Sequence, residues 1–194
     1  MADRPPLVAV LAAGLGTRFG GCKLDAELAG RPLGQWTLDA VAGAGLTPGV
    51  LVAGPQMPAF ALASGWRLLT NPHPEAGLGG SVALAAAAAM AEGRDLLLLL
   101  ADMPLVTPDF ITRLAAQTSA AATRQADGSA GVPALLPLAL LHEAAALEGA
   151  RGAAQMLREI AGLVLLDPAA EMLHDVDWPQ DLEAVAALLA GRAT

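Results

Sequence analysis

The sequence predicts an α/β domain built on a largely parallel sheet. Three observations carry that expectation. Apolar runs alternate with helical segments along the whole 194-residue chain. Two of those runs, Leu7–Ala12 and Leu96–Leu100, lack polar alternation. Both faces of such strands must be covered, as they are in parallel sheets flanked by helices. No Pro/Ser-rich linker and no internal repeat divides the chain, so residues 1–194 read as one domain.

Each element follows in order. Leu7–Ala12 is the first strand and leads into a glycine-rich turn. Residues 32–44 read as a helix, Val50–Ala53 as the second strand and 66–70 as a short third. After the turn at 77–80, Ser81 is placed to cap a helix running to Glu92, which Gly93 ends in the usual position after the last turn. The alanines at 85–89 favour helix rather than disorder. Leu96–Leu100 is the central strand. Thr107, Pro108 and Asp109 then start a helix with a cap, a proline in the first turn and an acid beside the dipole. The polar stretch 119–131 is expected as an exposed excursion, followed by a strand over 132–136. Helices over 138–147 and 153–161, a strand over 163–166 and a last helix to about Ala190 complete the chain. In that last helix Pro179 suits the first position, which puts Trp178 at the cap, with Asp177 as a substitute cap.

Composition excludes several functional classes. Hydrophobic residues make up 55% and charged residues 15%, which argues against disorder. A net charge of −8 argues against a broad nucleic-acid or anionic-membrane surface, yet a few local cations suffice for one nucleotide. Cys22 is the single cysteine, so no intramolecular disulfide forms. His73, His142 and His174 are too far apart in sequence to suggest zinc. Three Phe, three Trp and no Tyr leave little for base stacking on a strand of nucleic acid. The Leu96–Leu100 run is too short to span a bilayer. The apolar N-terminal run carries Asp3 and enters the glycine turn directly, unlike a cleaved leader. A soluble cytoplasmic protein, with neither nucleic acid nor membrane as partner, is expected.

Chemistry concentrates in four places. Gly14, Gly16, Gly20 and Gly21 allow close backbone approach to an anion, Thr17 adds a hydroxyl, and Arg18 and Lys23 add charge. The turn lacks the dinucleotide fingerprint, because Phe19 stands at its third glycine. It lacks the Walker A pattern too, because Leu24 follows Lys23. Phosphate binding and a plain turn after a strand both remain open. Asp102 follows the Leu96–Leu100 strand, where open α/β sheets place ligands, although it could equally cap the next turn. Mg²⁺ needs only one or two carboxylates plus substrate phosphates. Asp175 and Asp177 offer the second carboxylate, unless they are a solvated loop charge and a cap. Asn71 with Gly79, Gly80 and Ser81 could meet a flat base, or form an ordinary loop and cap. His73, His142 and His174 read as surface and packing residues, and Cys22 as a small loop residue.

Together these segments resemble the molybdenum cofactor nucleotidyltransferases, the MobA-like NTP transferases. LAAGLGTRFGGCKL, NPHPEAGLGGS, LLLADMPLV, GVPALLP and DVDWPQDL occur in that family's order and cover nearly the whole chain. Ala13 and the RFGG-x-KL ending are similar to the cytidylyl branch; the guanylyl branch usually has glycine where Ala13 stands. The resemblance implies a Rossmann-like nucleotidyltransferase fold, three-layered around a mostly parallel sheet. It implies transfer of CMP from CTP to a molybdopterin-type phosphate, with Mg²⁺ as cofactor and a recipient molybdoenzyme among the partners. It places Leu11, Ala12, Ala13 and Gly14 on the base and ribose, with Gly16 and Thr17 in the same loop. Arg18 and Lys23 fall on the triphosphate, Asn71, Gly80 and Ser81 near the nucleoside, and Asp102 and Asp177 on the metal. Three departures lie in the acceptor half: Ala150 replaces an acid, Trp178 a threonine, and Val132 a frequent histidine. They keep other readings in play, namely guanylyl transfer, a sugar- or alcohol-phosphate acceptor, or a nucleotide-binding maturation partner without turnover.

Overall fold

A computed structural model describes residues 4–14, 16, 19–149 and 153–192. The first strand, β1 (Leu7–Ala12), is buried along its whole length. A turn at Lys23–Asp25 and a two-residue hairpin, β2 (Glu27–Leu28) with β3 (Arg31–Pro32), lead into helix α1 (Leu33–Gly43). Strand β4 (Val50–Ala53), helix α2 (Ala59–Ala63) and strand β5 (Arg67–Thr70) follow. Helix α3 (Gly79–Glu92) then returns the chain to β6 (Leu96–Leu100). The second half contains α4 (Pro108–Ala115), β7 (Ala121–Arg124), β8 (Ala130–Leu136) and α5 (Leu141–Ala145). It ends with α6 (Ala153–Glu159), β9 (Val164–Leu166) and α7 (Asp181–Arg192).

Seven strands form one sheet in the order β5-β4-β1-β6-β8-β7-β9. Only β8 runs against the others: it pairs antiparallel with β6 and with β7, while the remaining pairs are parallel. Strand alternation divides the apolar residues into two layers of core. Val8, Val10, Leu97 and Leu99 face α1, α4 and α7 through Leu38, Phe110 and Val185. Ala9, Leu11, Leu96 and Leu98 face α3, α5 and α6 through Val82, Leu141 and Leu157. The architecture is therefore the expected α/β, three-layered and mostly parallel. Each fully buried leucine of β6 contributes about 1.5–3 kcal/mol, so this strand anchors both layers. No described helix is long and apolar enough to cross a membrane.

The chain steps outward from β1 to β4 and β5, then crosses to the other side of β1 as β6. Such a reversal opens a crevice at the carboxyl ends of the strands. The Ala101 N–H donates to the Leu11 carbonyl at 2.9 Å, which sets the start of the Asp102 turn beside the start of the glycine loop.

Four local expectations are corrected. Helix α3 starts at Gly79, so Ser81 lies in its first turn instead of capping it; Gly93 does end the helix, at φ +63°. The excursion at 119–131 contains strand β7, whose Ala121, Ala122 and Thr123 are buried between β8 and β9. The expected helix over 138–147 is a turn at Leu138–Leu140 followed by the short α5. Helix α7 starts at Asp181, beyond Pro179, so Trp178 does not cap it. By contrast, Thr107 caps α4 as expected, its hydroxyl accepting from the Phe110 N–H at 3.3 Å.

Candidate active site

The glycine loop closes on itself after β1. The Phe19 N–H donates to the Gly16 carbonyl at 2.9 Å, and the Lys23 N–H to the Gly21 carbonyl at 2.9 Å. Gly16 has φ +57°, and a Cβ there would stand 3.0 Å from the Gly21 carbonyl, so a side chain is excluded by conformation and by space. The loop is fastened at Asp25. Its carboxylate accepts from the Ala59 and Phe60 N–H groups, both at 2.8 Å, at the start of α2. Partial burial opposes ionisation of Asp25, but those two backbone donors outweigh it and hold the carboxyl below its usual range.

Lys23 is thereby set at the mouth of the crevice. Its ammonium donates to Asp102 Oδ2 at 2.8 Å and lies 3.4 Å from Asp177 Oδ1. The Lys23 side chain is only 10% exposed. Asp102 follows β6 on a turn braced from below by buried Thr37, whose hydroxyl donates to the Leu100 carbonyl at 3.1 Å. The Val176 N–H reaches the Asp102 carbonyl at 3.4 Å and brings in the segment carrying Asp175 and Asp177. Asp181 fixes that segment: its Oδ2 accepts from the Asp177 N–H at 2.9 Å and the Trp178 N–H at 2.7 Å.

Asp175 is the third acid of this corner. It keeps contact with solvent, yet the crevice around it is dense and already negative. Desolvation first, then the charges of Asp102 and Asp177, push its carboxyl up to about 6, against the pull of Lys23.

Three adjoining cavities cross the carboxyl edge of the sheet. The first, about 260 Å³, lies between β1 and β4 over Ala12, Ala13 and Gly14. The central one shares Gly14 and Lys23 with it and adds Gly16, Asp102 and Asp177. The third shares Leu11, Leu78 and Leu100 with the centre and extends past Val132 to Asp175.

Leu11, Ala12, Ala13, Gly14, Gly16, Lys23, Asp102 and Asp177 therefore all line this trough. Thr17, Arg18 and the departure at Ala150 lie outside the described residues. Asn71 and Ser81 are buried, the Asn71 amide donating to the Ser81 hydroxyl at 3.0 Å. A Cβ on Gly80 would stand 3.4 Å from that amide. None of these three is among the described residues that line the first cavity. The Cys22 thiol donates to Asp25 at 3.1 Å, and partial burial followed by that carboxylate raises its pKa, which disfavours a nucleophilic thiolate. Thr37 and Gln56, which lines the first cavity, belong to none of the motifs, and Asp181 lies in DVDWPQDL without a role assigned to it there.

The corner suits a divalent cation. Two carboxylates from separate segments already share a positive group, the Lys23 ammonium, and hard oxygen donors are what Mg²⁺ or Mn²⁺ takes. No group of three or more metal-ligating side chains is arranged as a self-sufficient site among the described residues. Substrate phosphates would have to complete the shell.

A family model for the MobA-like NTP transferase domain matches residues 8–164, from β1 to the start of β9. The chain belongs to the MobA-like NTP transferase family. Its fold is shared with a Methanothermobacter nucleotidyl transferase, Mth528, at a TM-score of 0.82 and 21% identity, covering 99% of this chain and 100% of that one. Rv0371c from Mycobacterium tuberculosis H37Rv superposes at a TM-score of 0.79 with 25% identity, covering 96% of this chain and 100% of that one. The same protein in complex with manganese gives a TM-score of 0.70 at 22% identity, covering 95% and 99%. A stretch of 112 residues, 55% of this chain, is 38% identical to the bifunctional protein GlmU of Pelobacter propionicus. This MobA-like chain spans about a quarter (24%) of that relative's length.

Proposed function

We propose that this MobA-like protein transfers CMP from CTP to the terminal phosphate of a molybdopterin-type acceptor, with Mg²⁺ as the working metal. The observation that carries the reading is the convergence of Lys23, Asp102 and Asp177 beneath a glycine loop at the switch point of an NTP transferase domain. An acceptor phosphate oxygen bonds to the α-phosphorus of CTP, and the bond from that phosphorus to the β-phosphate oxygen breaks. Pyrophosphate leaves with the electron pair. The attacking oxygen is already anionic, so no protein base has to remove a proton.

The work left to the protein is positioning and charge neutralisation. Gly14 and Gly16 let the backbone approach the phosphates, while Lys23 and Arg18 supply cations. Asp102 and Asp177 would hold Mg²⁺, which supplies Lewis-acid neutralisation of phosphate charge when bound. The manganese complex of Rv0371c supports a divalent ion of this class. Ala13 favours cytosine as the base. The third cavity, with aliphatic walls and the polar groups of Gln125, Ser129 and Asp175, offers room for the acceptor beyond Leu11.

A second reading, transfer to a sugar or alcohol phosphate, is favoured by the GlmU-like stretch and by Val132 and Trp178 in the acceptor half. Pyrophosphate release separates the readings when each NTP is tested with molybdopterin and with sugar phosphates. Release with CTP and molybdopterin alone is expected. Release only with a sugar phosphate would establish the second reading, and nucleotide binding without release in any combination would make the protein a carrier.

A further inference from the structure

We propose that Gln56 reads the Watson–Crick edge of the nucleobase. This inference rests on the reading that the glycine loop holds an NTP. The first cavity opens on the β4 side of the loop, away from Asp102 and Asp177, and shares Gly14 and Lys23 with the central cavity. A nucleotide with its phosphates at Lys23 and the metal corner therefore extends its base into this cavity. Alanine, glycine, proline and leucine make up most of the described lining, and the polar side chains among the described lining residues are Cys22, Lys23 and Gln56.

Two of those three are engaged elsewhere. The Cys22 thiol donates to Asp25, and the Lys23 ammonium lies between Asp102 and Asp177. Asn71 and Ser81, expected to read the base edge, are buried against each other. Gln56 is exposed, and its carboxamide makes no hydrogen bond among the described residues.

Its loop is braced at both ends. The Asn71 N–H donates to the Ala53 carbonyl at 2.8 Å on one side, and Asp25 holds the Ala59 and Phe60 N–H groups on the other. Pro55 and Pro58 restrict the backbone between these ties. A reading group on a restrained loop loses less entropy on binding than one on a free loop.

The chemistry then discriminates. A carboxamide presents an acceptor beside a donor. Cytosine presents the amino donor at N4 beside the acceptor N3, and the two match; rotation of the amide matches uracil at O4 and N3–H. Guanine offers a carboxamide O6 beside N1–H as well, but its two adjacent donors, N1–H and the N2 amino group, match a carboxylate, which cytosine and uracil do not. A paired contact of this kind discriminates by about ten-fold or more.

The test measures binding of CTP, UTP and GTP by calorimetry with Mg²⁺, for the wild-type protein, Gln56→Ala and Gln56→Glu. Thermal melts confirm that the exposed substitutions leave the fold intact. Gln56→Ala should lose about ten-fold in CTP affinity, and Gln56→Glu should move the CTP-to-GTP ratio toward GTP by about ten-fold or more. Unchanged CTP affinity in Gln56→Ala, or an unchanged CTP-to-GTP ratio in Gln56→Glu, overturns the assignment of Gln56 while leaving the NTP reading intact. No binding of any NTP by the wild-type protein overturns that reading, and this inference with it.

Discussion

Lys23 shows how a single residue can organise an acidic corner. An exposed ion pair contributes little, but this ammonium is nearly enclosed, so removing it would leave two neighbouring carboxylates to repel one another. Asp175 already registers the enclosure of this corner, through desolvation first and then the charges of Asp102 and Asp177. Its folded pKa of about 6 lies above the ordinary 3.8, so the native state binds its proton more tightly than the unfolded chain does. That contribution to stability is fully present below pH 4 and is lost as pH rises through 6. Asp175→Asn is therefore expected to raise the melting temperature at pH 7–8, without added metal, and to match the wild type below pH 4. Equal melting of the two proteins at pH 8 would contradict the environment assigned to Asp175. Lys23 and Asp102 were legible in the sequence because charged residues just past apolar strands announce themselves, whereas Asp177 was legible as a candidate second carboxylate before the last helix. Asp175 was legible as a candidate carboxylate, but its shift was not, since it depends first on desolvation in the folded crevice and then on Asp102 across the fold. Gln56 was illegible for a different reason: a glutamine in a Pro-flanked loop has no motif, and only the cavity gives it a role.

At the scale of elements, the segment 174–178 carries two of the acids without being helix or strand, and it is held by bonds from its neighbours. Asp181, at the start of α7, accepts two of its N–H groups on one oxygen. Such a residue positions Asp177 without touching substrate. Asp181→Ala is expected to raise the Mg²⁺ concentration needed for half-maximal activity by about ten-fold or more. Asp181→Asn, which keeps a carbonyl oxygen for both donors, should restore most of that affinity. Equal metal requirements in all three proteins would show that the contact matters to folding alone. The sequence pointed to Pro179 as the helix start because proline favours the first turn. The structure instead uses Asp181 to satisfy the N–H groups of Asp177 and Trp178, a choice set by the need to fasten the acidic segment. Strand β7 escaped notice because Ala121, Ala122 and Thr123 carry little apolar signal. Their burial comes from being placed between β8 and β9, and the Thr123 hydroxyl is satisfied by the Pro133 carbonyl at 2.8 Å.

Across the whole molecule, the sheet order explains why the candidate site gathers at one corner. Strands β1, β4, β5 and β6 were readable from their apolar runs, and their ends were placed within a residue or so. The reversal at β1 was not visible as such, yet it is what sets the glycine loop beside Asp102. The later segment then completes the site through Val176 and Asp177, which no local pattern could have placed there. Apolar strands build the frame, and a few charged residues at its carboxyl edge give it a task. The account requires that Asp102 serve the reaction more than the fold, since it is partly exposed and its loss would leave both core layers untouched. Pyrophosphate release by Asp102→Ala, with CTP, Mg²⁺ and molybdopterin, is the most direct measurement of that requirement. The account predicts release reduced by about a hundred-fold or more, in a protein whose melting temperature stays close to the wild type's. Turnover near the wild-type rate in a folded variant would contradict it.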